Sequence, residues 1–390
     1  MGSTSPQVLA PEPGPWWPQD VAGRAYQPGS ARRQSLVPPT LSAMATARDT
    51  AGRAATIRDV AADAGVAAST VSNVLSGRKR YRDPTVQRVL ASVTKLGYRP
   101  SSAARALALG RTNILGMLAY VSPSTLDTDV DIFMRFVRAA MYTAQPRGYD
   151  VLVMGRGEEE LEGDILADAM VVMDIRVDDP RIPVLLSHGL PTVLIGVPPD
   201  THGLSAVDLD FAEATRVMVR HLAERGHREI AVLAPPDEPP GHELAHRHFV
   251  RTALVEECAR HGISGRYVAS GSSTPEVVAW FDEVRSILPS LTGIIVTGIS
   301  ALDALLAVLT ANGLRVPADV SVIALAPDEQ LALSHPTITT LDLPGRTMVR
   351  HAVDRALDEL TGSPRGVIEL IPPVLLDKGS TAAAPAGAGH

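Results

Sequence analysis

Residues 56–109 read TIRDVAADAGVAASTVSNVLSGRKRYRDPTVQRVLASVTKLGYRPSSAARALAL. Thr56 stands before an apolar-periodic run and can cap a helix, with Asp59 at the position that reaches back to the cap. Ile57, Val60, Ala61 and Ala64 share one helical face. Gly65 supplies a left-handed turn position, and Val66 can plug the gap behind it. The stretch from Ser69 to Leu75 predicts a second helix that turns Val71, Val74 and Leu75 inward. Ala68, Ser69, Ser72 and Asn73 are left outside, and such short side chains suit close approach to base edges and phosphates. Gly77 ends this helix, and Arg78, Lys79, Arg80 and Arg82 make a basic loop suited to phosphate contact. Pro84 opens a third helix, Thr85 to Leu96, with Val86, Val89, Leu90 and Val93 as its core face. Ser101 can cap a fourth, kept slim by Ala103, Ala104, Ala106 and Ala108. Any three-helix bundle shares some of this packing. The polar second helix beside a basic loop favours double-stranded DNA as the partner.

The whole-chain charge of −7 points away from nucleic acid, but the average hides a split. From Arg53 to Arg111, eleven Arg and Lys stand against three Asp, which leaves the rest of the chain acidic. A basic head on an acidic body lets the head bind phosphate while the body repels it. At 390 residues there is room for two or three domains with a sizeable core. The lone Cys258 excludes an internal disulfide and a cysteine-based metal site, and fits a reducing cytosol. The most apolar run, Gly293 to Leu309, is interrupted by Asp303 and reads as a strand feeding a helix, not a membrane span. The N-terminal stretch lacks the apolar core of a signal peptide, so a cytoplasmic location is expected. Residues 1–54, with Pro, Gly, Ser and Arg around Trp16 and Trp17, read as a disordered extension. Met44, just before the folded pattern, is an alternative start.

From Asn113 onward, strand-like runs (ILGMLAYV, YDVLVMG, DAMVVMD, PTVLIGV, REIAVLA, GIIVTG, VSVIALA) alternate with helical patterns at 131–145, 211–225, 245–261, 300–312 and 345–361. This is the rhythm of parallel sheets covered on both faces.

The stretches GVAASTVSNVLSG, LGYRPSSAARAL and GRTNILG closely resemble the LacI/GalR family of bacterial transcription regulators. The resemblance is high over 56–118 and weaker, though in order, to about residue 378, with GLRVPADVSVIAL and AERGHREIAVL as landmarks. It implies that the second helix lies in the major groove. By position, Ala68 and Ser69 match the variable base readers, and Asn73 matches a third where Arg is usual; Asn pairs more naturally with adenine. Thr70, Ser72 and Thr85 match phosphate-contacting positions, and Arg80 of the basic loop and Ser101 are further phosphate candidates. Residues 101–112 match the hinge helix and linker, and Leu107 the leucine that wedges into the minor groove and kinks the duplex.

The expectation is a multidomain chain: an all-α helix-turn-helix head (55–100) with a hinge helix, joined to an α/β periplasmic-binding-protein-like body (113–378). The body is expected as two doubly wound parallel-sheet subdomains joined by three crossovers, the first 113–207 and 326–341, the second 208–325 and 342–378. A disordered tail, 379–390, with no leucine heptad, follows. The resemblance implies a homodimer on a pseudo-palindromic operator, acting as a repressor, with a small-molecule effector in the cleft between the subdomains. The usual sugar-clamping groups do not carry over: Gly196, Val197, Gly298, Ile299 and Ala245 stand at those positions. Tyr120, Asp174, Arg176 and Arg247 are the remaining effector candidates, each also readable as a structural or solvated residue. Control by a protein partner is the alternative.

His242, Glu243 and His246 spell HExxH, the spacing of a helical zinc site. The motif follows the loop PPDEPPG, lacks the extended metzincin pattern and has no well-spaced third ligand. With no phosphate loop, nucleophile elbow or Cys/His pair in view, neither an enzyme nor a metal or cofactor is expected; adventitious metal binding or an effector contact is the alternative for these histidines, and a zinc hydrolase or plain ligand-binding protein is the remote reading.

Overall fold

Thr56 closes both halves of a capping box: its backbone N–H donates to Asp59 Oδ2 at 2.8 Å, and the Asp59 N–H donates to Thr56 Oγ1 at 3.4 Å. It starts α1 (Ile57–Ala64), which Gly65 ends in the left-handed conformation at φ 63°. In this computed structural model, residues 55–76, 81–98, 110–119, 130–155, 161–335 and 337–385 are described. The chain divides into two compact units between Arg99 and Pro100.

In the first unit, α1 is followed by α2 (Ala68–Ser76) and α3 (Asp83–Leu96). Their core is small: Val60, Ala61, Ala64, Val71 and Val89 are buried, with Ile57, Val66, Val74, Leu75 and Val93 packed around them. Leu90, expected on the core face of α3, is 43% exposed, while Ser92 is buried. Lys95 pairs with Asp63 at 2.7 Å, tying α3 to α1 and lowering the Asp63 carboxyl.

The second unit holds two six-stranded sheets. The first contains β1 (Ile114–Leu118), β2 (Asp150–Met154), β3 (Ala169–Val172), β4 (Thr192–Ile195), β5 (Ser205–Leu209) and β11 (Ile368–Ile371). Its order is β11-β5-β4-β3-β1-β2, parallel throughout. Helices α4 (Val130–Ala144) and α5 (Arg181–His188) join its strands. The second sheet contains β6 (Glu229–Ala234), β7 (Ser264–Ala269), β8 (Gly293–Val296), β9 (Ser321–Ala326), β10 (Thr339–Asp342) and β12 (Leu375–Leu376). Its order is β12-β10-β9-β8-β6-β7, with β12 alone antiparallel. The helices between are α6 (Phe211–Glu224), α7 (Ala245–His261), α8 (Thr274–Ile287), α9 (Leu302–Ala311), α10 (Asp328–Ser334) and α11 (Gly345–Glu359).

The central strands are covered on both faces, which is why they read as near-continuous apolar runs, while the edge strands β2, β7 and β11 are partly exposed. Along β3, Ala169 and Val171 enter one core cluster while Met170 and Val172 enter another on the opposite face. Along β6, Ile230 and Val232 face one cluster, Ala231 and Leu233 the other. The period of two is present; it is hidden because both sides are buried.

Three connections pass between the sheets: β5 to β6 through α6, β10 to β11 through α11, and β11 to β12 directly. The expected division after residue 325 needs correcting. Strand β10 pairs in parallel with β9, Thr339 beside Ile323, so 326–341 belongs with the second sheet. Helix α11 buries Met348, Val349, Ala352, Val353 and Ala356 and packs on α4, β3, β4 and β5, so most of 342–371 belongs with the first. The tail is also corrected. Residues 379–385 pack against the second sheet: the Val322 N–H donates to Ser380 O at 3.0 Å, and the Ala384 N–H to Arg225 O at 2.8 Å. Ser380 is 2% exposed. The extension 1–54 and hinge residues 101–109 lie outside the described residues.

Candidate functional site

The outward face of α2 is made of the residues the sequence placed there. Val71 is fully buried, and Val74 and Leu75 pack on the same core. That orientation leaves Ser69 exposed and Thr70, Ser72 and Asn73 half-buried, with Ala68 partly against the core. Asn73 Nδ2 donates to Tyr81 Oη at 3.2 Å, a bond that couples the third expected reader to the segment entering α3. Tyr81 was not singled out in the sequence: an aromatic in a basic loop carries no periodic signal. Thr85 sits half-buried in the first turn of α3. Arg80, Ser101 and Leu107 lie outside the described residues.

A cavity of about 270 Å³ opens between the two sheets. Its walls gather at the carboxyl ends of the strands, where open α/β sheets bind ligands: Met173 and Asp174 follow β3, Ile195 and Gly196 end β4, Asp208 lies near the end of β5, and Pro235 and Thr297 follow β6 and β8. Phe133 and Phe136 of α4 and Phe211 at the start of α6 supply aromatic surface. Of the sequence candidates, Asp174 and Arg247 line the cavity. Arg176 is 4% exposed and is not among the lining residues, and Tyr120 lies outside the described residues.

The loop after β3 is held by a buried ion pair. Arg181 donates from Nε to Asp179 Oδ1 at 2.9 Å and from Nη2 to Asp179 Oδ2 at 2.7 Å, and also to the Met173 and Asp174 carbonyls. Burial alone would raise the Asp179 carboxyl; the Arg181 contacts overcome this and hold it below its ordinary value. The loop then meets the segment entering α7 in a short antiparallel strap: the Val177 N–H donates to Glu243 O at 2.9 Å and the Ala245 N–H to Ile175 O at 2.8 Å. The two sheets are therefore joined by backbone hydrogen bonds at the cleft as well as by the crossovers.

Arg247 donates from Nη1 to Pro236 O at 2.6 Å and faces Glu238 at 3.8 Å, both side chains being under a tenth exposed. His246 stacks at 5.0 Å on Phe211, and burial, with Arg247 beside it, pushes its imidazole down to about 3. Asp208 is 4% exposed and accepts from the Leu209 N–H at 2.9 Å and the Val197 N–H at 3.3 Å. Burial pushes its carboxyl up to about 7. Sequence reading missed Asp208, Phe211 and Tyr267, while the effector contact it allowed for the HExxH histidines fits His246, which lines the cavity. They come from different elements, and no local spacing links them.

The positions expected to carry sugar-clamping groups have been filled by packing. A Cβ on Gly196, at φ 122°, would meet Ile175 Cβ at 2.9 Å, and one on Gly298 would meet Pro235 Cγ at 2.9 Å. The HExxH stretch does not form a helical metal site. His242 lies three residues before α7, with Nδ1 near Pro240 O at 3.3 Å, while Glu243 pairs with Arg251 at 3.1 Å and His246 points into the cleft. Among the described residues no group of three or more His, Cys, Asp or Glu could hold a metal.

A helix-turn-helix head and a two-sheet body with a cleft are the architecture of a DNA-binding regulator. Comparison with known proteins agrees. The model for "Bacterial regulatory proteins, lacI family" matches residues 56–101, and that for "Periplasmic binding protein-like domain" matches 219–381. The HTH-type transcriptional regulator CelR of Thermobifida fusca is 31% identical over 334 residues, covering 81% of this chain and 96% of the relative. The HTH-type transcriptional repressor PurR of Erwinia tasmaniensis is 29% identical over 348 residues, covering 85% and 98%. Among solved structures, the lac repressor dimer bound to operator and the anti-inducer ONPF superposes with a TM-score of 0.71 at 24% identity, over 85% of this chain and all of that one. A LacI family regulator from Bifidobacterium animalis subsp. lactis gives 0.61 at 26% identity, over 70% of this chain and all of that one. The chain belongs to the lacI family of bacterial regulatory proteins. Its activity is DNA-binding transcription regulation. No helix among the described residues is long and apolar enough to cross a membrane.

Proposed function

We propose that this regulator is a cytoplasmic homodimeric repressor that grips a pseudo-palindromic operator with two heads and changes its grip when a small molecule occupies the cleft. The observation that carries the reading is the pairing of an outward polar α2 with a formed inter-sheet cavity in one chain. Ala68, Ser69 and Asn73 read base edges, while Thr70, Ser72, Thr85 and Ser101, with Arg80, hold phosphates; Leu107 wedges the central step. Two-fold symmetry follows from one head per half-site. A formed cavity favours a small effector over a protein partner, because a protein would need an exposed surface rather than an enclosed space.

In vitro selection of bound DNA tests this. The full-length protein is expected to select an inverted repeat, and Asn73→Arg to change the preferred base at one position per half-site, moving it towards guanine. A good bidentate pair discriminates by about 1–3 kcal/mol, enough to be plain in the selected motif. An unaltered motif would remove Asn73 from the base readers.

A further inference from the structure

The cleft wall is unbalanced in charge. Among the described residues Asp174, Asp208 and Glu238 line it, against one guanidinium, Arg247. Arg247 is already engaged by the Pro236 carbonyl at 2.6 Å and faces Glu238 at 3.8 Å. His246 supplies no positive charge, since burial keeps it neutral down to about 3. Among the described residues the wall therefore offers an anionic ligand no uncommitted cation. It also offers a neutral sugar few side-chain partners where the family clamp would stand, at Gly196 and Gly298.

Asp208 is the group left over. It is 4% exposed, lines the cavity, and takes two backbone N–H donors, which occupy two of about four lone-pair directions. Asp210, two residues on, adds a like charge, and among the described residues no cation pairs with Asp208. An ionised carboxylate in such a place is costly until a counter-charge arrives. The same cavity is lined by Phe133, Phe136, Phe211, Met173 and Met348, faces suited to an apolar body and to the quadrupole attraction of a cation.

We propose that the effector is an organic cation, an ammonium group on an apolar or aromatic body, which sets its charge against Asp208 and its body among the phenylalanines of α4 and α6. This rests on the reading that the cleft is the effector site. Binding of such a cation is coupled to proton release from Asp208, whose carboxyl burial has raised to about 7. The other titratable or charged groups of the cavity are Asp174, Glu238, Arg247, His246 and Tyr267; His246 stays neutral above about 3, and burial raises the Tyr267 phenol above its ordinary value.

Calorimetric titration of the full-length protein with three probes tests the assignment: 2-phenylethylammonium, 3-phenylpropionate of similar body and opposite charge, and the neutral disaccharide cellobiose. The amine is expected to bind and the other two to give no heat. Its affinity should rise roughly tenfold between about pH 6 and about pH 8, as the carboxylate becomes available. Asp208→Asn should weaken amine binding by roughly tenfold or more and flatten the pH profile, with the melting temperature checked to show that it folds. Absence of amine binding at millimolar concentration overturns the proposal, as does preference for the carboxylate or the disaccharide, or equal amine affinity in Asp208→Asn. Operator binding measured alongside separates the two readings. A protein that holds its operator and responds to cellobiose loses the cation assignment alone. One that binds the amine but never changes its hold on DNA loses the regulatory reading instead.

Discussion

The head and the body of this chain solve opposite problems with different amounts of apolar material. Among the described residues the head rests on five buried apolar side chains, Val60, Ala61, Ala64, Val71 and Val89, and gives its surface to short polar groups. The body has clusters on both faces of two sheets and can hold charges out of water, among them Asp179, Arg181 and Asp208. The difference teaches where function is written. In the head it lies outside a small core, on one exposed helical face. In the body it lies inside, where buried charge is costly unless a partner meets it.

The largest test of that contrast is Arg181→Ala. Arg181 is 1% exposed and Asp179 0%, and the substitution leaves the carboxylate buried without its counter-charge. The expected loss is about 3–5 kcal/mol of body stability, read as a lower denaturant midpoint. The helical signal of the head should keep its own transition. Because Arg181 also holds the Met173 and Asp174 carbonyls, ligand binding in the cleft should suffer before the body unfolds. A variant as stable as the parent would show that the loop hydrates readily, and that the body is no better sealed than the head.

Asp208→Asn is next in size. The Asp208 carboxyl is raised to about 7 in the folded chain from an ordinary 3.8. Between these values the native state keeps a proton that the unfolded chain has released. Stability therefore falls as pH rises through this window and is level above it. The amide carries no such dependence. The variant should match the parent near the lower end of the window and exceed it by roughly 2–4 kcal/mol at about pH 8, measured by urea unfolding at both values. A gap that does not widen with pH would mean that water reaches Asp208 whenever the cleft opens.

The same contrast explains what the sequence disclosed. In the head, cap, turn and core face are neighbours in the chain, so Thr56, Gly65 and Val71 could be read one by one and stand where expected. In the body, the expected strands formed, because burial on both faces leaves unbroken apolar runs. The strand Thr339–Asp342 was not legible: TTLD is too short and polar to stand out, and only its pairing with β9 assigns it to the second sheet. Nor was the cleft legible. Asp208 lies next to residues typical of a strand end, and His246 beside Arg247 looked like part of a zinc motif; they meet because two sheets present their carboxyl ends to one space. The tail, rich in Ala and Gly, has no pattern of its own, yet Ser380 is buried where it bonds Val322 of β9 and Thr339 of β10.

Thr56→Ala is the smallest change and falls on the other side of the comparison. It removes the hydroxyl that accepts the Asp59 N–H at 3.4 Å and donates to Asp59 Oδ2 at 2.7 Å. Loss of a cap of this kind costs about 1 kcal/mol, modest against the reserves of the body but a large share for a unit with so small a core. Amide exchange in α1 should quicken by roughly fivefold, while exchange in β3 and β6 stays as it was. Thr56→Ser keeps the oxygen and should restore the slow exchange. If α1 is unaffected by Thr56→Ala, the head draws its stability from packing rather than from its cap, and its apparent fragility beside the body is wrong.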